Sequence, residues 1–261
     1  MKIDFHIHSS SSDGKQSAEE ILYDLKKENV DLFSITDHDL LHNPNHKNWV
    51  NGVEITTSYH GYILHLLCFG NNDLIFLESL LRSNRKKRGQ YYFKLFLELK
   101  KEFPKMDRSH MPRLKYRVED FIGCIEASYN HNLTEKDYMK VNDTVQKLNN
   151  EFPSIIEVIS LINAHHQLSI LAHPWRYKDI DIFSILSELL KFGLSGIEIK
   201  DDFPFEESKI YYDWSVKNNV MVSVGSDYHD RNFDKIGITI TSKIEALEKF
   251  IRALKGDKNE F

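Results

Sequence analysis

The chain has 261 residues, of which 41% are hydrophobic, and a formal net charge of −5 at pH 7. This composition excludes an intrinsically disordered chain and is sufficient for one large domain or for a barrel with an insertion. The first residues lack the basic and apolar segments of a signal peptide, and no window approaches about 18 uninterrupted apolar residues, so we expect a cytoplasmic protein without a membrane-spanning helix.

The first predicted strand carries two histidines. Apolar residues at positions 3, 5 and 7 alternate with polar ones, and this spacing places His6 and His8 on the same face. A turn-forming run, residues 9–14, follows and can return Asp13 to the same end of the strand. A His-x-His pair alone is equally expected of two solvent-facing histidines on an edge strand, so later segments have to distinguish the two interpretations.

A helix and three further strand candidates follow. Ser17 is predicted to cap a helix that runs to about residue 29, and Glu20 completes a capping box. The strand candidates span residues 30–36, 49–56 and 62–69. Each of them contains or precedes a potential metal ligand, and these ligands are His38, Glu54 and His65.

Strand signals are absent from residues 71–153, where apolar residues recur at helical spacing. Helices are predicted over about residues 73–101, 118–129 and 134–150. The segment is long enough to form a small lid or substrate-binding domain. We therefore expect a barrel built from residues 1–70 and 154–261, with a helical insertion at 71–153.

The alternation of strands and helices resumes after the insertion. Strands are predicted at residues 168–172, 196–199 and 220–224, and helices at 155–166, 182–192, 207–217 and 242–254. Seven strand candidates, mostly separated by helices, favour a β/α barrel over a doubly wound sheet. His173, Asp227 and His229 follow strand ends, which is where active-site residues lie in such barrels.

The charge of the chain is unevenly distributed. Residues 82–117 hold 13 Lys and Arg against 3 Asp and Glu, a local charge of +10 that leaves −15 for the remainder. This segment is either an anion-binding surface or a solvated helix face. Within it, Arg85 and Arg88 lie on an otherwise apolar helical stripe. We expect them to reach a second phosphate of the substrate, or else to extend to solvent or pair with acidic residues of the barrel.

Histidines and carboxylates near the strand ends form the candidate metal site. They are His6, His8, Asp13, His38, Glu54, His65, His173, Asp227 and His229. Nine ligands exceed the need of one ion, so the set suits two or three divalent cations that share bridging carboxylates. A mixed imidazole and carboxylate set without thiolates favours Mn, Zn or Fe(II) over Mg or Ca. The two cysteines, Cys68 and Cys124, lie in apolar runs and are expected to be buried thiols.

Other readings of these polar residues stay open. Glu54 and His65, taken singly, are also compatible with buried, hydrogen-bonded core residues. Asp37 is expected to orient a ligand or cap a turn. The remaining histidines are expected on the surface, and they are His42, His46, His60, His110, His131, His165 and His166.

Together, these motifs resemble those of the PHP (polymerase and histidinol phosphatase) phosphoesterases. The matching segments are His6-Ile7-His8-Ser9-Ser10-Ser11-Ser12-Asp13-Gly14, Thr36-Asp37-His38-Asp39, Gly52-Val53-Glu54-Ile55 with His65, Ala172-His173-Pro174-Trp175-Arg176-Tyr177, and Gly225-Ser226-Asp227-Tyr228-His229. The resemblance covers residues 1–70 and about 165–240. It implies an α/β fold, namely a distorted (β/α)7 barrel.

The resemblance also implies how the metals are held. One ion would bind His6, His8, Glu54 and Asp227. A second would bind Asp13, His38 and His229. A third would bind His65, His173 and a bridging Glu54.

The Arg176-Tyr177 pair after the His-Pro step resembles the branch that acts on nucleotides, including nucleoside 3′,5′-bisphosphates and the ends of short RNA. We therefore predict a phosphoric ester hydrolase in which a metal-bound hydroxide attacks phosphorus and Arg176 balances the charge of the transition state. Arg85, Arg88, Arg176 and Tyr177 are the predicted substrate-binding residues.

Two alternatives remain at this point. One is a phosphatase for a small phosphomonoester such as histidinol phosphate, and the other is an inactive scaffold stabilised by metal. The insertion lacks the Arg-x-His-Ala-like stretch that the resemblance leads us to expect, because residues 113–124 do not clearly supply one. No protein partner is inferred from the sequence.

Overall fold

The structure, a computed structural model, describes residues 1–42, 46–70, 74–111, 118–148, 150–178, 180–200, 206–241 and 243–256. Several predicted features fall partly outside these residues. The helices expected from residues 73 and 242 each begin outside the described residues. Residues 112–117 of the basic segment also lie outside them, and 113–117 belong to the stretch in which an Arg-x-His-Ala-like motif was expected.

Eight strands are found among the described residues. They are β1 (Lys2–Asp4), β2 (Leu32–Phe33), β3 (Asn51–Tyr59), β4 (Tyr62–Gly70), β5 (Leu168–Leu171), β6 (Gly196–Ile199), β7 (Met221–Val224) and β8 (Ile238–Thr239). Seven of them match the predicted strands. The eighth, β8, is an addition that only two residues form.

The described helices agree closely with the periodicity of the sequence. They are α1 (Ala18–Lys27), α2 (Glu78–Glu102), α3 (Val118–Tyr129), α4 (Glu135–Lys147), α5 (Ile155–Ala164), α6 (Ile182–Lys191), α7 (Glu206–Lys217) and α8 (Glu245–Leu254). The capping box of α1 is present as predicted, since the Ser17 hydroxyl accepts from the backbone N–H of Glu20 and the Glu20 carboxylate accepts from that of Ser17.

The strands form two sheets rather than one closed barrel within the described residues. The first has the order β2-β1-β8, with β1 parallel to β2 and antiparallel to β8, and the second has the order β3-β4-β5-β6-β7. Isolated parallel bridges connect the sheets, and they pair Ile7 with Tyr228, Phe33 with Trp49, and His38 with Glu54. The predicted α/β class is therefore confirmed.

The second sheet mixes two kinds of pairing. β3 and β4 form an antiparallel hairpin in which Glu54 pairs with Leu67 and Thr56 with His65. Its two-residue turn, His60-Gly61, has positive φ at both positions, 47° and 90°, as the right-handed twist of a hairpin favours. β4 is also antiparallel to β5, whereas β5, β6 and β7 are parallel.

The apolar side chains collect in more than one cluster. The largest lies between the strands and helices α5, α6 and α8, and it includes the fully buried Cys68. A second cluster, which includes Leu95, Phe121 and Cys124, lies among α2, α3 and α4. Both cysteines are buried free thiols, as predicted. No helix in the described part of the chain is long and apolar enough to cross a membrane.

Candidate metal centre

All nine predicted ligands converge at one end of the strands. Eight of the nine side chains are at most 9% exposed, and His65, at 22%, is the most accessible. Residues from the ends of β1, β2, β5 and β7 join two residues from within the β3–β4 hairpin. Because the strand ends meet, side chains more than 200 residues apart in sequence lie within contact distance.

In the first cluster, a carboxylate oxygen of Glu54 and one of Asp227 lie close to the Nε2 atoms of His6 and His8. His6 Nε2 and His8 Nε2 are 3.0 Å apart. Glu54 Oε2 lies 3.4 Å from the first nitrogen and 3.2 Å from the second. Asp227 Oδ1 lies 3.4 Å and 3.2 Å from the same two atoms. Ligands at the usual distances from a tetrahedral zinc-type ion would be about 3.3–3.6 Å apart, so the spacings among His6, His8 and Glu54 suit one small cation, with the Asp227 oxygen beside the two imidazoles.

A second cluster is centred on Asp13. Its Oδ2 lies 3.5 Å from His38 Nε2 and 3.5 Å from His229 Nε2, while its Oδ1 lies 3.3 Å from His8 Nδ1. One ligand atom from each of these four residues falls within 4.8 Å of every other. The return of Asp13 towards the strand end, which the turn residues predict, is thus observed.

The third cluster shares Glu54 with the first. Glu54 Oε1 lies 3.2 Å from His65 Nδ1 and 3.0 Å from His173 Nε2, and these two nitrogens are 3.4 Å apart. The other carboxylate oxygen, Oε2, faces the first cluster and lies 3.0 Å from His38 Nδ1. Glu54 therefore lies between all three clusters, as a bridging carboxylate would.

Several buried atoms of the centre make no hydrogen bond among the described residues. They include Asp13 Oδ2, His38 Nδ1, Glu54 Oε2 and His173 Nδ1. Buried polar atoms are normally hydrogen-bonded, since an unpaired one costs about 1–3 kcal/mol. Oxygen and nitrogen lone pairs that converge without donors are what divalent cations require. The residues present therefore fit metal ions.

The charges of the three carboxylates suit cation binding as well. Burial by itself would raise the pKa values of Asp13, Glu54 and Asp227, but the surrounding imidazoles outweigh burial and hold all three pKa values well below their usual range. The carboxylates are therefore ionised, which is the form that coordinates metal.

Four histidines of the centre fall into two groups according to the direction in which their pKa values are shifted. Burial, assisted by the charge of Arg88, lowers the pKa of His38 to about 3, and burial lowers the pKa of His173 as well. For His6 and His8, burial acts in the same direction, but nearby carboxylates outweigh it and raise the pKa values well above the ordinary range. Cations bound at this centre would therefore compete with protons on His6 and His8.

Glu198, a buried residue of β6, supports this centre and was not predicted. Its Oε1 accepts from His6 Nδ1 at 2.9 Å, and its Oε2 accepts from the backbone N–H of His173 at 2.7 Å. The available signal was a carboxylate in the middle of the apolar run 196–199. Such a residue is rarely buried without a partner. Its contacts orient two candidate ligands at once.

Two other acidic residues hold the loops of the centre. Asp37 accepts from the backbone N–H of Ser9 at 2.8 Å and contacts the hydroxyls of Ser9 and Ser12, which secures the turn that carries Asp13. Asp4 accepts from the backbone N–H groups of Ser226 and Gly237 at 3.0 and 2.8 Å. Asp37 thus secures a turn, as predicted.

The backbone is strained at two of the ligand positions. His173 has φ of 31° and Asp227 has φ of 51°, both in the left-handed region that non-glycine residues rarely adopt. Gly225 lies nearby, and a Cβ at this position would come within 2.2 Å of His6 Cβ. The end of β7 therefore accommodates only glycine beside the His6 ring.

Comparison with known proteins supports the motif-based resemblance. No protein-family model matches the chain. A curated protein of Haemophilus influenzae, named 5′-3′ exoribonuclease, is 24% identical over 255 residues, which cover 87% of this chain and 90% of that protein. An amidohydrolase from Chromobacterium violaceum, solved with bound sulfate and no metal, has a TM-score of 0.74 at 19% identity and covers 98% of this chain and 96% of its own.

A proposed metal-dependent phosphoesterase from Bifidobacterium adolescentis gives a TM-score of 0.69 at 18% identity, with 96% of each chain covered. The chain shares its fold with these two solved proteins. The motif resemblance agrees with these relatives, whose names are those of hydrolases, as the predicted enzyme class requires.

The predicted substrate-binding pair, Arg176 and Tyr177, lies at the edge of the centre. Arg176 follows His173 on a short 3-10 turn, and its Nη2 lies 2.5 Å from Asp227 Oδ2, with 54% of the side chain exposed. The Tyr177 hydroxyl accepts from the backbone N–H of His65 at 2.9 Å. The structure therefore brings both residues into contact with the candidate ligands.

Arg85 and Arg88 of α2 face the strands, and each has a protein partner. Arg88 Nη1 donates to Thr56 Oγ1 at 3.0 Å and lies 3.6 Å from the buried carboxylate of Asp39. Arg85 Nη1 donates to the backbone carbonyl of Asp39 at 2.6 Å and is 36% exposed. Pairing with an acidic barrel residue, one of the expected alternatives, is thus observed for Arg88.

The histidines expected on the surface are exposed with one exception. His42 is half-buried, and its Nε2 contacts the Asp37 carboxylate. The other six, including His60 in the hairpin turn, are exposed. The expectation for His42 is therefore wrong, because a buried carboxylate five residues earlier attracts its ring.

Proposed function

We propose that this protein is a metal-dependent phosphoesterase that hydrolyses phosphate esters of nucleotides, either 3′,5′-bisphosphate nucleotides or oligonucleotide ends. The observation that carries the proposal is the convergence of nine imidazole and carboxylate side chains into three clusters around Glu54. Such clusters hold the pairs or triplets of divalent cations that assist hydrolysis of phosphate esters.

We infer that the first ion is held by His6, His8, Glu54 and Asp227, the second by Asp13, His38 and His229, and the third by Glu54, His65 and His173. Mn, Zn and Fe(II) suit this ligand set. When bound, such ions supply a nucleophile at neutral pH and neutralise phosphoryl oxygens. The protein would keep the carboxylate ligands ionised and would hold the ligand side chains close together.

Arg176 and Tyr177 are the proposed substrate contacts nearest the centre. An exposed guanidinium beside Asp227 is free to turn towards a phosphoryl group while its carbons remain in place. Its planar donors match phosphate oxygens in pairs, so it would stabilise charge that develops during the reaction. Tyr177 would border the same phosphate, since its hydroxyl is fixed at His65.

The insertion, residues 71–153, is proposed to cover this end of the molecule as a lid or substrate-binding domain. Its own apolar cluster and the contacts from α2 to Thr56 and Asp39 support that role. We further propose that the two sheets correspond to a distorted (β/α)7 barrel. Backbone hydrogen bonds from Phe5 N to Val224 O at 3.1 Å and from Val50 N to Phe33 O at 2.9 Å support it.

The nucleotide assignment draws on two observations. The Haemophilus influenzae relative is named an exoribonuclease, and Arg85 and Arg88 add positive charge beside the centre. A small phosphomonoester such as histidinol phosphate is the second candidate. Arg88 already pairs with Asp39, so it does not need a second substrate phosphate as its partner. An inactive scaffold would need fewer convergent ligands than are found.

The test is phosphate release from a nucleotide panel, measured with Mn²⁺ and with chelator, together with elemental analysis. We expect hydrolysis that depends on metal and more than one divalent ion per chain. His8→Ala and Asp227→Ala should lower both metal content and activity, whereas His131→Ala, which removes an exposed histidine, should change neither. Full activity with one equivalent of metal would contradict the multinuclear centre, and activity in chelator would contradict the function.

A further inference from the structure

The candidate metal centre is accessible from one side. His65 is the most exposed of the nine side chains, at 22%. The backbone N–H of His65 donates to the Tyr177 hydroxyl, and Arg176, which precedes Tyr177, forms an ion pair with Asp227. The approach to the centre is therefore bordered by Arg176 and Tyr177.

A groove of about 480 Å³ begins at these two residues. One wall is the β3–β4 turn, where Tyr62 is 40% exposed, and the other is the face of α4 that carries Asn142 and Gln146. This volume lies within the range of sites that bind small organic ligands. A single phosphate on the metals would leave the groove empty.

The lining of the groove has a distinctive chemistry. It includes Tyr62, Tyr91, Tyr177, Asn142, Gln146 and Lys178. Among the described residues it contains no Asp or Glu, although the chain has a net charge of −5. Aromatic faces stack on nucleobases, amides pair with base edges, and cations attract the phosphate backbone. The aromatic, amide and cationic side chains that line the groove thus match an unpaired nucleotide.

The walls of the groove are connected by hydrogen bonds. Asn150 Nδ2 donates to the Gly61 carbonyl at 2.8 Å, which ties the hairpin turn to the chain that follows α4. Ser58 Oγ donates to the Phe152 carbonyl at 3.0 Å, two positions before the turn. The groove is therefore preformed, and binding in it requires little ordering of the protein.

We propose that this groove binds the nucleoside attached to the scissile phosphate of a single-stranded nucleic acid. Its base lies against Tyr62 and its next phosphate near Lys178. The inference rests on the proposed phosphoesterase function and adds the part of the substrate that the metal centre does not hold.

The test compares two substrates in matched variants. Tyr62→Ala should lower kcat/KM for a short single-stranded oligonucleotide by about tenfold, the size of one lost stacking contact. Hydrolysis of glycerol phosphate, which has no ring, should stay unchanged. Tyr62→Phe should restore oligonucleotide hydrolysis because it keeps the aromatic face. Tyr23→Ala, which removes an exposed tyrosine of α1, is the control.

A binding measurement separates this inference from the function on which it rests. Calorimetry with a tetranucleotide that lacks terminal phosphates, in chelator, should show binding to the wild type that Tyr62→Ala and Lys178→Met weaken. Equal effects on both substrates, or unchanged oligonucleotide binding in both variants, would overturn the groove assignment. Failure of the wild type to hydrolyse either substrate would instead contradict the proposed function, while the binding result would still decide the groove.

Discussion

Single residues of the centre act through fixed partners, and Glu198 shows this most directly. The carboxylate accepts from His6 Nδ1, so the Nε2 lone pair of the same ring points towards His8, Glu54 and Asp227. A hydrogen-bonded carboxylate behind a histidine ligand sets its tautomer and raises its basicity. The same side chain also fixes the strained backbone at His173.

From this geometry we predict that Glu198→Gln weakens metal binding about 10- to 100-fold, the usual cost of losing such a partner. In this variant, an NH2 group replaces one of the two Glu198 oxygens. The NH2 group cannot accept a hydrogen bond from the N–H donor that it faces. Calorimetric titration of chelator-treated protein with Zn²⁺ or Mn²⁺ measures the effect. Glu157→Gln, at an exposed position of α5, serves as the control. Equal affinities in the two variants would show that Glu198 does not position the ligands.

Arg176 offers a second test at this scale. If it stabilises the phosphoryl group, Arg176→Ala should keep the metals and lose about 2.7–4 kcal/mol of transition-state stabilisation, by analogy with removal of one oxyanion donor. Arg176→Lys should restore only part, because a point charge lacks the paired donors. Steady-state kinetics with elemental analysis distinguish the roles. Loss of metal would mean that Arg176 serves to hold Asp227, and unchanged turnover would exclude it from the reaction.

At the scale of elements, α2 is the helix that joins the insertion to the strands. Asn84 donates to Asp39 Oδ1 and to the Thr56 carbonyl, at 2.9 and 2.8 Å. Arg85 donates to the Asp39 carbonyl, and Arg88 donates to Thr56 Oγ1. This buried polar contact fixes one helix face beside His38, whose low pKa owes part of its shift to Arg88. The position of α2 therefore affects both the arginines proposed to bind substrate and the candidate metal ligand His38.

We predict that Arg85→Ala and Arg88→Ala each impair a 3′,5′-bisphosphate substrate by about 1.5–3 kcal/mol in kcat/KM, the value of a hydrogen bond to a charged group. A simple aryl phosphate, with one phosphate, should be hydrolysed almost normally by both variants. Arg82→Ala, which removes a side chain that is 76% exposed, is the matched control. Equal losses on both substrates, accompanied by a lower melting temperature, would mean that the arginines only secure α2.

At the scale of the whole molecule, the metal centre joins distant parts of the chain. Its candidate ligands come from the first strand, the hairpin, and the ends of β5 and β7, so bound cations would cross-link both sheets. A ligand that binds only the folded state stabilises it by about 2.7 kcal/mol at 100 times its dissociation constant.

Accordingly, chelator-treated protein should melt about 5–10 °C below the metal-loaded form, since about 1 kcal/mol shifts Tm by about 2–4 °C at this size. Differential scanning calorimetry measures the shift. His8→Ala should reduce it and His131→Ala should leave it intact. A melting temperature that does not respond to metal would indicate that the folded protein has no affinity for these ions.

The local features of this protein follow from its amino-acid sequence. Hydrophobic periodicity, the Ser17 capping box and the polar residues at strand ends are short-range properties, and they predicted the helices, seven strands and the residues that converge. Four features became evident in the folded molecule, namely the two-sheet arrangement, the strand β8, the role of Glu198 and the pairing of Arg88 with Asp39. These depend on contacts between segments as far apart as His6 and Glu198, which backbone pairing and packing select and no local pattern encodes.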